Sequence, residues 1–258
     1  MGKILLVMSG KGGVGKTTTA INLAVAMAYF GKDVLVVDGN FSTPNVGVHL
    51  NAPEVPINLN HVLNGRAELS EAIYEHESGI KILPSSLSIK EFKKIKPETI
   101  KEFKKDFRRI SDYVIFDCAA GLGNDVSCLL DIADEVVIVT NPEMPAVTDA
   151  LKSVKFAEQL NKPIKGISVT RVRKDDIELP PDVVREMLDV PILGMVPEDE
   201  QVRRAINIKN PVVQIYPKSK ASRAYKEIAA RILDVEYDSE RDKESMIKRV
   251  LRKFRLIG

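Results

Sequence analysis

The chain has 258 residues, 44% of them hydrophobic and 29% charged, with 38 Lys and Arg against 36 Asp and Glu. That length suits one α/β domain burying about 70–75% of its unfolded surface, so no disulfide or metal staple is required. The near balance of charge excludes a molecule whose whole surface is a nucleic-acid footprint, and any basic patch must be local.

The first apolar run, Lys3 to Met8, leads into Gly10-Lys11-Gly12-Gly13-Val14-Gly15-Lys16-Thr17-Thr18, and a helical pattern over Thr17–Phe30 follows, ending at Gly31. Strand, glycine loop and helix is the context in which a G-x-x-x-x-G-K-[ST] spacing turns backbone N–H groups toward phosphate oxygens at a helix N-terminus. Lys16 would hold the β- and γ-phosphates and Thr17 a Mg²⁺ ion. Lys11, directly after the first glycine, is a second lysine that a generic phosphate loop does not need. At this point the chain resembles the deviant Walker A ATPases of the MinD/ParA family. The resemblance implies that Lys11 reaches a partner's phosphates across a nucleotide-sandwich dimer, so ATP would join two copies of the chain.

The second run, Val34–Val37, ends in Asp38-Gly39-Asn40-Phe41-Ser42-Thr43-Pro44-Asn45. The resemblance makes Asp38 a metal-site residue at the start of switch I and puts Asn40 where many relatives carry the Asp that orients the attacking water. An amide accepts a hydrogen bond but takes no proton. Hydrolysis is therefore expected to be slowed and not abolished, because phosphoryl transfer depends chiefly on positioning. Asn40 also reads as an ordinary turn residue.

The next runs are Ile80–Leu83 and Tyr113–Phe116, with a helical pattern over Lys96–Arg109 between them. Asp117 stands at the tip of the Tyr113–Phe116 run, where burying a carboxylate is costly unless a metal or hydrogen bonds satisfy it, so Asp117 is expected at the Mg²⁺. By resemblance Gly121 senses the γ-phosphate through its N–H. Cys118 and Cys128 form no C-x-x-C, which gives no disulfide framework and points to a reducing, cytoplasmic setting.

Val136–Thr140, Ile164–Val169 and Ile192–Val196 complete the runs, with helical patterns over Pro145–Leu160, Pro181–Leu188, Glu198–Asn207 and Ser219–Leu233. Continuous apolar runs alternating with helices predict a doubly wound, mostly parallel sheet flanked by helices, with ligands at the carboxyl ends of the strands. Base contacts in the family follow an Asn-Arg pair and a later Pro-Glu-Asp segment. Here Thr170-Arg171 and Pro197-Glu198-Asp199 stand in those places, which makes Arg171, Pro197 and Asp199 the expected contacts.

After the ATPase domain, residues 1–233, comes an acidic linker, 234–242, and then 243–258 with six basic residues against Glu244 alone. On a helical wheel Met246, Ile247, Val250, Leu251, Phe254 and Ile257 fall within an arc of about 140°, and Lys248, Arg249, Arg252 and Lys253 all lie outside it. Such a segment, about 20 Å long, cannot cross a bilayer but can lie on an anionic surface. The expectation is an ATP-dependent homodimer, peripheral on the inner face of the cell membrane, that positions division or other machinery together with a regulatory protein. The alternatives are a ParA-like partition ATPase that binds DNA and a slow or non-hydrolysing ATP-bound scaffold. An iron–sulfur carrier is disfavoured by the missing C-x-x-C.

Overall fold

A computed structural model describes residues 1–92, 96–173 and 175–238. The proposed amphipathic segment over 243–258 and residues 239–242 of the linker lie outside the described residues.

Eight strands form one sheet: β1 (Lys3–Ser9), β2 (Val34–Gly39), β3 (Tyr74–Glu75), β4 (Lys81–Leu83), β5 (Tyr113–Ala120), β6 (Glu135–Thr140), β7 (Ile164–Val172) and β8 (Ile192–Pro197). Their order is β3-β4-β2-β5-β1-β6-β7-β8, and every neighbouring pair is parallel except β3 with β4. The described helices are α1 (Lys16–Tyr29), α2 (Val46–His49), α3 (Leu59–Leu63), α4 (Ile89–Phe92), α5 (Lys104–Ile110), α6 (Asn124–Ile132), α7 (Met144–Gln159), α8 (Pro181–Leu188), α9 (Glu200–Asn207), α10 (Val212–Ile215) and α11 (Lys220–Leu233).

Strand side chains alternate between faces, and the core divides accordingly. Along β1, Ile4, Leu6 and Met8 join the cluster that includes residues of α6, α7 and α8, whereas Leu5 and Val7 join the one built with α1 and α11. Because both faces are covered, the inner strands are largely apolar up to the carboxylates Asp38 and Asp117 near the carboxyl ends of β2 and β5, and this is why the runs were visible in the sequence. The pattern over 96–109 divides into a 3₁₀ turn, Pro97–Phe103, followed by α5. The expected helix from Glu198 starts at Glu200, with Asp199 as its N-cap. The β3–β4 hairpin and α6 were not expected.

Candidate functional site

The phosphate loop leaves β1, the strand flanked by β5 and β6, and enters α1. Gly13 and Gly15 take φ of 81° and 89°, left-handed values that a side chain would strain. Gly10 is required for another reason: a Cβ there would stand 2.1 Å from the carbonyl oxygen of Asp149 on α7. A Cβ at Gly12 or Gly13, by contrast, would meet no atom within 4 Å, so the loop presents an open concave edge. Ser9 ties the loop from below, its hydroxyl donating to the Lys11 carbonyl at 3.0 Å. Lys11 itself is exposed.

Two side chains at the helix start converge on one carboxylate. Lys16 Nζ lies 3.2 Å from Asp117 Oδ1, and the Thr17 hydroxyl donates to Asp117 Oδ2 at 2.6 Å. Lys16 is 9% exposed and Asp117 fully buried. Burial alone would lower the Lys16 pKa, but the Asp117 carboxylate more than offsets this, so the ammonium is held above its ordinary value.

Asp38 stands beside Asp117 in the parallel register of β2 and β5. Its Oδ2 accepts the N–H groups of Asn45 and Val46, both at 2.8 Å, and Oδ1 that of Asn40 at 3.2 Å. Burial, then the neighbouring Asp117 charge, push its carboxyl up to about 8 against those three donors. The sequence reading made Asp38 a metal-site residue; the structure engages both of its oxygens in folding the loop that leads into α2.

Asn40 is turned into the same loop. Its Nδ2 donates to the Thr43 carbonyl at 2.6 Å, and its Oδ1 accepts from the Thr43 N–H at 3.2 Å and the Ser42 hydroxyl at 3.3 Å. This is the turn-forming role, with both ends of the amide in use. The Gly121 N–H, expected at a γ-phosphate, donates to the Ser9 carbonyl at 3.1 Å.

Beyond the loop lies a cavity of about 340 Å³ whose walls include Gly15, Thr18, Thr170, Arg171, Pro197, Glu198, Asp199, Val202 and Tyr225. All three residues expected at a base therefore line one space. The Asp199 carboxylate nevertheless faces protein, accepting from the N–H groups of Gln201 at 2.9 Å and Ala221 at 3.2 Å. The Thr170 hydroxyl lies 2.5 Å from the Val14 carbonyl and 2.9 Å from Asn141 Oδ1, fastening the phosphate loop to β7. Arg171 adopts a left-handed φ of 56° where the β7–β8 register shifts between Val169 and Val172. Tyr225 of α11, whose hydroxyl burial pushes up to about 12, was missed because a Tyr in an amphipathic helix carries no sequence signal for a site.

These residues fit a magnesium nucleotide. The open glycine edge leaves room for phosphate, a buried ammonium supplies charge, and a hydroxyl and a carboxylate are the hard oxygen donors that Mg²⁺ takes alongside phosphate and water. They do not fit an iron–sulfur cluster. Cys118 is fully buried, with its thiol pushed up to about 12 by that burial, and Cys128 is 3% exposed.

A family model described as AAA domain matches residues 2–167, and one described as 4Fe-4S iron sulfur cluster binding proteins, NifH/frxC family, matches residues 100–251. An uncharacterized ATP-binding protein of Methanocaldococcus jannaschii is 37% identical, covering 96% of this chain and 95% of its own. The septum site-determining protein MinD of Bacillus subtilis is 33% identical over 90% of each. MinD of Pyrococcus horikoshii, solved in complex with Mg-ADP, superposes with a TM-score of 0.86 at 33% identity, covering 90% of this chain and 96% of that one. The phosphate loop, its second lysine and these likenesses agree: the chain belongs to the MinD/ParA family of P-loop ATPases.

Proposed function

We propose that this protein binds ATP with Mg²⁺ in the Gly10–Thr18 loop, dimerises on it, hydrolyses it slowly and uses its C-terminal segment to bind an anionic membrane surface reversibly. The observation that carries the reading is the convergence of Lys16 and Thr17 on buried Asp117, beneath an open glycine edge and beside a cavity of about 340 Å³.

In this reading the loop amides and Lys16 cradle the phosphates, and the base enters the cavity between Arg171, Pro197 and Tyr225. Thr17 and Asp117 would hold Mg²⁺, which supplies charge neutralisation on the β- and γ-oxygens. Lys11, exposed at the mouth of the loop, is free to reach a second copy's phosphates. Asp38 holds the loop that carries Asn40, and Asn40, whose amide is already engaged with Ser42 and Thr43, cannot take a proton from the attacking water. Hydrolysis is slow for that reason. Paired C-terminal segments on the dimer then raise avidity for a surface by about 10²–10⁴-fold over one segment. The cellular role is placement of division or other surface-bound machinery, under the control of a regulatory protein.

Among the described residues no helix is long and apolar enough to cross a membrane. Sedimentation with anionic vesicles, using the full chain and one truncated after Asp242, in ATP, in ADP and without nucleotide, tests the reading. ATP-dependent pelleting that truncation abolishes is the expected result. Absence of pelleting in every state refutes the membrane step, and a salt-sensitive shift of DNA lost on the same truncation would put nucleic acid in its place.

A further inference from the structure

The acidic stretch after α11 does not leave the domain at once. Asp234 takes a left-handed φ of 54° and the Val235 N–H returns to the Ala230 carbonyl at 3.0 Å, which reverses the chain at the helix end. Asp234 also lies 3.5 Å from Lys165 Nζ. Tyr237 then lies against the end of α1, edge-on to Phe30 with ring centroids 5.8 Å apart and to Tyr29 at 6.4 Å, and Tyr29 and Phe30 stack edge-on at 5.1 Å.

Beneath these rings is Lys226 of α11, only 3% exposed, its ammonium 4.2 Å from the centroid of Tyr29 and 6.0 Å from that of Tyr237. Burying an ammonium is expensive, and aromatic faces offset part of that cost. Edge-to-face ring pairs add to it. Tyr237 thus closes an aromatic box over a buried cation.

We infer that residues 234–238 are a strap, with Tyr237 as its clasp, that fixes the point from which the C-terminal residues leave the domain. That point is set by α1, whose 14 residues span about 21 Å. Its first residue, Lys16, stands in the phosphate loop, and its last, Tyr29, in the box. The strap therefore holds the chain at the end of α1 opposite the nucleotide site. Four residues, 239–242, remain between the strap and residue 243, spanning at most about 14 Å. Were Tyr237 released with Asp234 still capping α11, the eight residues 235–242 would span at most about 28 Å. Effective concentration falls roughly as the −3/2 power of tether length, so doubling it weakens paired binding about threefold. This last consequence rests on the membrane reading above, whereas the strap does not.

The test uses the full chain and the variants Tyr237→Ala and Tyr237→Phe, with acylation of Lys226 by a water-soluble activated ester, whose alcohol leaves as the amide forms, followed by mass spectrometry. The strap requires Lys226 to react at least tenfold faster in Tyr237→Ala, with Tyr237→Phe, which keeps the ring, as slow as the parent. Equal rates for parent and Tyr237→Ala overturn it. Circular dichroism of each variant guards against misfolding, and Tyr237→Leu, which keeps bulk without the π face, is the second variant if Tyr237→Ala unfolds, with the same tenfold criterion. Pelleting with anionic vesicles in ATP forms the other arm, where Tyr237→Ala should bind about threefold more weakly than the parent. If the parent does not pellet, the membrane reading fails while Lys226 acylation still decides the strap.

Discussion

Thr17 and Asp117 are joined hydroxyl to carboxylate at 2.6 Å, across 100 residues of sequence, and the same carboxylate is the partner of Lys16. One buried group thus holds both helix-start side chains of the phosphate loop. Asp117→Asn would leave the Lys16 ammonium buried without its carboxylate. Breaking a buried pair costs about 3–5 kcal/mol, and the expected loss sits at the low end because Asp38 remains nearby. Urea unfolding without nucleotide measures this, and Mg²⁺-dependent phosphate release should fall by at least about 100-fold in the same variant. An unchanged unfolding midpoint would remove Asp117 as the anchor of Lys16.

Two glycines of the loop should respond in opposite ways. A methyl at Gly10 meets the Asp149 backbone at 2.1 Å, which no rotamer can relieve, so Gly10→Ala is expected to separate the loop from α7 and lower the melting temperature markedly. A methyl at Gly12 meets nothing within 4 Å. Gly12→Ala should melt like the parent yet bind nucleotide poorly, because the methyl enters the space assigned to phosphate or to a second copy. Similar melting for the two variants would contradict the packing argument.

The sheet was legible because β1, β2, β5 and β6 are buried on both faces and so read as apolar runs, while β7 and β8 keep enough branched apolar residues to be seen despite Lys165 and Ser168. The phosphate loop was legible because its geometry admits few residue types. The β3 strand was not, since Tyr74–Glu75 is two residues long, and α6 was hidden behind the glycine turn at Gly121–Gly123, which the sequence reading used only for a phosphate contact by Gly121. Site roles were less legible than site positions. Arg171, Pro197 and Asp199 do gather at one cavity, but sequence could not reveal that the Asp199 carboxylate caps α9 or that Asp38 spends both oxygens on backbone donors. Hydrogen-bond partners are set by loop geometry, which carries no periodic signal.

A pH dependence follows from the β3–β4 hairpin. His76 Nδ1 accepts the Ser78 N–H at 3.2 Å, and burial, opposed by Glu77, lowers the His76 pKa below its ordinary 6.5. The unfolded chain therefore takes up a proton first as pH falls. Stability contributed by the neutral ring is intact above about 6.5 and is lost as pH drops toward the lower folded value. His76→Gln should flatten that part of the stability curve, measured by urea unfolding at about pH 7.5, 6.5 and 5.5. Parallel curves for parent and variant would show that other groups govern the slope.

Asn40 separates two consequences of one substitution. Asn40→Asp supplies a carboxylate that can take a proton from water, the function ascribed to the second acid of switch I, but a carboxylate cannot donate to the Thr43 carbonyl now held at 2.6 Å. It would also add a third acid next to Asp38 and Asp117, which already disfavour each other's charge. The variant is therefore expected to be less stable by about 1–3 kcal/mol, the range for leaving a buried hydrogen-bonding group unsatisfied. With saturating Mg-ATP its phosphate release should nevertheless rise by about tenfold or more, because general-base catalysis is worth more than the positioning an amide provides. Asn40→Ala, which removes both functions, should lose stability without any gain in rate. If Asn40→Asp is no faster than the parent, the amide does not limit hydrolysis, and its role is the loop closure seen between residues 40 and 43.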